Sequence, residues 1–181
     1  MKAWAALFDP HYRLDLVAGL SDGILTALIL GAGHMLPGRP PMGLGLALRV
    51  ATAAAVSSAF VFLVAHYAEL RGKLVEAERQ LNLTQHGQFA TTRLGRAALI
   101  EAMIGALIAS LSTFFGALLP LLVGVFVPQV RWLAIMVALL VLGLLGYFLA
   151  RMVYGHPLYW MIALAVGGLL LAFLGVQLDI I

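Results

Sequence analysis

Few side chains in this 181-residue chain could do chemistry, and the most conspicuous is Asp22. It stands in Leu20-Ser-Asp-Gly-Ile-Leu-Thr26, inside an apolar run from Leu16 to Leu36. A carboxylate central in a bilayer costs about 2.5–3.5 kcal/mol on an insertion scale, so one kept there faces a partner or a water-filled path. At 100° per residue, Asp15, Gly19, Asp22, Thr26 and Gly33 share one face. Two readings follow. Asp22 is a cation or proton site, with Ser21, Gly23 and Thr26 beside it, or it pairs structurally with a group such as Arg49 or a serine. A second set is His66, Glu69 and Glu76. His66 and Glu69 are one turn apart, a spacing at which imidazole and carboxylate can hold a divalent ion. A solvated charged face is the alternative. Glu101 opens a third constellation, a stripe of small residues through Ala98, Gly105, Ala109, Ser112 and Gly116, with Pro120 beyond it. Such stripes let helices approach closely.

Positioning these groups falls to hydrophobic helices. The chain is 63% hydrophobic and 10% charged, with a mean hydropathy of +1.03. A soluble core of this size cannot bury so much apolar surface, so lipid is the expected solvent. Five apolar runs predict spans at about 16–36, 43–66, 97–127, 132–150 and 157–178. Residues 1–15 are expected to be a juxtamembrane segment and not a cleaved signal, because Asp9, Pro10 and His11 interrupt any apolar stretch. Residues 179–181 form a C-terminal tail. The expected fold class is thus an all-α integral membrane protein of five transmembrane helices, with helices two and three extending past the bilayer.

With the N-terminus inside, Lys2, Arg13, Arg71, Lys73, Arg79, Arg93, Arg96 and Arg151 fall on the cytoplasmic side. Arg39, Arg49 and Arg131 fall outside. This asymmetry orients the N-terminus to the cytoplasm and the C-terminus outward. The 67–95 segment is then a cytoplasmic insert. Its Glu69/Lys73 pair and its apolar stripe Leu70, Leu74, Ala77 and Leu81 continue the second helix to about Leu81. The Asn82-Leu-Thr84 glycosylation pattern is not expected to be used on that side. The chain has no cysteine, which excludes thiolate metal sites, disulfides and cysteine nucleophiles. No serine has a His and an acid in a nucleophile setting, and no glycine loop is placed to hold phosphate, so an enzyme is not expected. Nor does the net charge of +3 call for a nucleic-acid partner.

Two motifs carry a family resemblance. Val17-Ala-Gly-Leu-Ser-Asp22-Gly23 resembles the first-span signature of the vacuolar iron transporter family. Ala109-Ser-Leu-Ser-Thr-Phe-Phe-Gly116-Ala-Leu-Leu-Pro120 is similar to its third-span segment. Five spans, a cytoplasmic N-terminus and an insert after the second span agree with that family. The resemblance implies a homodimer that exports iron(II) or manganese(II) from the cytoplasm in exchange for protons, with Asp22 lining a path at the dimer seam. The metal would be cargo and not a permanent cofactor. His66, Glu69 and Glu101 would serve the cytoplasmic entrance, with Glu76 a further candidate metal ligand on the same helix as His66. The compact insert and short chain favour a prokaryotic plasma membrane over a vacuole. One departure lies in the second span, where Ser57 to Tyr67 carries neither the family's methionine nor an acid. The alternative is accordingly a non-transporting scaffold or partner-binding protein of the same fold.

Overall fold

A computed structural model of the chain describes residues 12–33, 43–80, 93–127 and 131–177. It is all-helical there. The helices are α1 (Arg13–Gly33), α2 (Leu44–Gln80), α3 (Arg93–Phe126), α4 (Arg131–Met152) and α5 (Pro157–Gln177). All five are long and apolar enough to cross a membrane, and the fold is that of an all-α membrane protein. Gly43, at the start of α2, accepts from the amides of Leu46 and Ala47, and Pro157 opens α5 where its missing amide is harmless. At 1.5 Å per residue, the 37 residues of α2 form a rod of about 55 Å, well beyond a ~30 Å hydrocarbon core. The helix α3 runs through Pro120 without interruption. The Asn82–Thr84 pattern and most of the expected juxtamembrane segment, residues 1–11, lie outside the described residues.

α3 is packed along α1 on one side and along α2 on the other. α1 and α2 touch each other far less than either touches α3. The other side of α1 rests on the paired helices α4 and α5. α1 is therefore the central spacer, and its two sides bury two apolar groups. Val17, Ile24, Leu28 and Ala32 pack with Ala138, Leu142, Leu145 and Ala172. Ala27 packs with Ala47, Ala51, Ala117 and Leu121.

In lipid, apolar burial does not drive helices together, so close backbone approach and its dispersion contacts must. The α1–α3 crossing is built this way. A Cβ at Gly116 would stand 2.6 Å from the Leu20 carbonyl oxygen, and Cβ atoms at Gly19 and Gly23 would collide with the Ala109 and Thr113 backbone. Glycines from both helices thus let the two backbones touch. On the other side of α1, Gly175 of α5 meets the Ile29 backbone. Large side chains such as Phe60, Phe126 and Leu140 point outward, 64–75% exposed, as lipid-facing residues do.

Candidate polar site between the first two helices

Since α1 and α2 both lie on α3 with little mutual contact, their polar side chains meet above its small-residue stripe. The first meeting point is a hydrogen bond between an imidazole and a carboxyl group. His66 Nε2 is 2.8 Å from Asp15 Oδ1, and Asp15 is 5% exposed. Gly105 of α3 makes room for both, because a Cβ there would lie 3.0 Å from Asp15 Oδ2 and 3.5 Å from the imidazole. Phe62, one turn back on α2, stacks on the His66 ring at 6.2 Å between centroids. A cavity of about 310 Å³ opens at this pair, lined among others by Tyr12, Glu69, Lys73 and Glu101. Lys73 Nζ is 2.7 Å from Glu69 Oε1 at its exposed rim.

The second meeting point lies two turns along α1, about 10 Å further. Asp22 is exposed on the α1 surface, and the Ser58 hydroxyl of α2 reaches its carboxyl group. Ser58 Oγ is also 2.8 Å from Thr113 Oγ1, a buried contact between α2 and α3. Thr113 Oγ1 in turn donates to the Ala109 carbonyl at 2.9 Å. A hydroxyl has one proton to donate. With Thr113 donating to Ala109, Ser58 donates to Thr113 and can only accept from Asp22. With the chain reversed, Thr113 donates to Ser58 and Ser58 donates to an ionised Asp22. The same oxygens serve both a neutral and a charged carboxyl group. Ser110 Oγ, donating to the Ala55 carbonyl at 2.8 Å, fixes α2 against α3 beside this chain.

Of the residues singled out from the sequence, His66, Glu69, Glu101 and Gly105 come together at one cavity. Asp22 stands apart from them with Ser58. Thr26 donates to the Asp22 carbonyl within α1, Ser21 is half-buried, and Gly23 is buried against α3. Gly19, Ala109, Ser112, Gly116 and Pro120 are buried between helices, with Ser112 donating to the Ile108 carbonyl of its own helix. Gly33 closes α1. Glu76 is exposed on α2, away from the lining of the cavity. Among the described residues, no three His, Asp or Glu side chains converge as a metal cage, and no ion pair joins Asp22 to Arg49.

Sequence reasoning placed Asp15 on the right face of α1 but gave it no partner, because that partner is 51 positions away. A serine is among the partners the sequence suggests for Asp22, and the structure supplies Ser58; Thr113 is not singled out by the sequence. A signal was available for Ser58: it lies eight residues before His66, close to the same face of α2.

The fold and this polar face define an all-α membrane protein of five long apolar helices that carry ionisable groups on their facing sides. No protein-family model matches the chain, and no curated protein or solved structure is significantly similar to it.

Proposed function

We propose that this protein transports a small cation across the membrane along the polar face shared by α1 and α2, with proton exchange at the same groups. The observation that carries the reading is Asp22: an exposed carboxylate at the midpoint of a 21-residue apolar helix, backed by the Ser58–Thr113 hydroxyl pair. Intramembrane acids of this kind mark ion paths by default. The chain of hydroxyls accommodates Asp22 in either charge state, which a site alternating between proton and cation requires. The Asp15–His66 cavity, with Glu69 and Glu101, provides a polar entrance about two turns away.

The cargo is a divalent ion of the iron(II) or manganese(II) type, which takes carboxylate, imidazole and carbonyl ligands. One Asp22 per subunit is too few for such an ion. A second copy bringing its own Asp22 to a seam along α1 would supply two carboxylates and cover both from lipid. The resemblance to the vacuolar iron transporters points to the same homodimer, with export from the cytoplasm against protons. A proteoliposome flux assay across iron, manganese, cobalt and zinc, with and without a pH gradient, tests this. Asp22→Asn is expected to abolish flux while the protein still folds. Flux at the wild-type rate in that variant would reject the path.

A second reading has support in the scatter of the acids, since the described residues form no three-ligand cage. In it the protein is a membrane scaffold, and Asp22–Ser58 is a packing contact. It expects no saturable iron or manganese binding by the purified protein.

A further inference from the structure

The α4–α5 turn carries a charge that the polar face does not use. α4 has a basic residue at either end, Arg131 and Arg151, and α5 contains no Asp, Glu, Lys or Arg. Every acid among the described residues belongs to α1, α2 or α3. Arg151 is exposed and has no carboxylate partner among the described residues. Its guanidinium is nonetheless held in place. Nη2 donates to the Tyr147 hydroxyl at 2.8 Å, one turn back along α4, and the guanidinium carbon lies 5.3 Å from the centroid of the Tyr147 ring. An arginine at a helix end would ordinarily extend into water. This one is drawn back along its own helix onto Tyr147.

The backbone around it has an unusual feature. α4 ends in a Schellman turn closed by the Gly155 amide on the Ala150 carbonyl at 2.9 Å. The left-handed residue of that turn is Tyr154, at φ 54°, where glycine is the usual occupant. Glycine is needed one place later, because a Cβ at residue 155 would strike Trp160 Nε1 at 2.5 Å. Tyr154 is 99% exposed and Tyr159 74%. His156 lies edge-on to Tyr159. A cation and two exposed phenols are thus presented where the chain turns back into the bilayer. This is the level of lipid phosphates, where tyrosine and tryptophan collect.

We propose that this turn binds the headgroup of an anionic phospholipid, with Arg151 taking the phosphate and Tyr154 and Tyr159 flanking it. The planar guanidinium, oriented by Tyr147, matches two phosphate oxygens at once. With no carboxylate beside it among the described residues, an anionic ligand would balance its charge. The proposal is independent of cation transport.

Native mass spectrometry of the detergent-solubilised protein tests it, with phosphatidylglycerol and phosphatidylcholine of identical chains offered at equal concentration. The wild type is expected to retain phosphatidylglycerol preferentially. Arg151→Gln should lower that preference about fivefold, the effect of one basic residue at a membrane surface. Tyr147→Phe, which changes no charge, should lower it by a smaller factor, and it carries the test should Arg151→Gln not fold. An unchanged preference in the folded variants overturns the proposal. So does an equal loss in Arg96→Gln, an exposed arginine on α3 that would then show only a general basic effect. Displacement of the lipid by millimolar inorganic phosphate would make free phosphate the ligand and reject the lipid.

Discussion

Removing the imidazole of His66 strands the Asp15 carboxylate in a site where it is 5% exposed. Breaking a buried pair by taking one partner typically costs 3–5 kcal/mol. The imidazole retains 28% of its side-chain exposure, which admits some solvent, so His66→Ala is expected to destabilise the protein by about 2 kcal/mol. Thermal unfolding in detergent measures it. A double-mutant cycle with Asp15→Asn should show coupling on the order of 1 kcal/mol, whereas additive losses would mean that the two groups do not pair. How much of this site the sequence disclosed can be seen in the same two residues. Helical periodicity set Asp15 and Asp22 on one face, and it set His66 and Glu69 one turn apart. Periodicity describes a single helix. It cannot tell which face of α2 meets α1, so the spacing groups His66 with Glu69 but not with Asp15; the structure brings all three to one cavity. Which serine meets Asp22, and that Thr113 stands behind it, was hidden for the same reason: the Ser58–Thr113 contact arises only from a meeting across 55 positions.

At the scale of the helices, the glycines divide by what surrounds them, and that division makes a prediction. Gly23 of α1 and Gly116 of α3 lie backbone to backbone at the crossing, with no flexible side chain to move aside. Gly31 of α1 and Gly72 of α2 have open space where a Cβ would go. Gly23→Ala must therefore push α1 away from α3, at about 2 kcal/mol or more. Gly31→Ala or Gly72→Ala should stabilise by up to about 1 kcal/mol through helix propensity alone. Circular dichroism during thermal unfolding separates the two pairs, and equal losses at all four positions would contradict the packing described. The sequence showed the elements well here, because long apolar runs leave little choice in a bilayer. The small-residue stripe of α3 was also visible. What it lacked was the partner surface: that α3 receives α1 on one side and α2 on the other depends on which backbones can touch, not on hydropathy.

For the whole molecule, the exposed position of Asp22 sets the problem. A lone subunit would present this carboxylate to hydrocarbon at about 2.5–3.5 kcal/mol, partly relieved by Ser58. The proposed seam removes that cost by placing α1 of one copy against α1 of the next. Because an isologous contact brings each residue near its own counterpart around the two-fold axis, a cysteine beside Asp22 should find its twin. The chain has no cysteine of its own, so single substitutions give an unambiguous readout. Ala18→Cys and Thr26→Cys stand one turn to either side of Asp22 and are half-buried in the single subunit. Under mild oxidation in native membranes, at least one of the two is expected to form a disulfide-linked dimer on a non-reducing gel. Phe173→Cys, on the outward side of α5 and 64% exposed, is expected to stay monomeric. Cross-linking through Phe173→Cys alone would move the seam to the α5 side. Asp22 would then face lipid with Ser58 as its one described partner, and the two-carboxylate cation site would have to be abandoned, leaving the scaffold reading in its place.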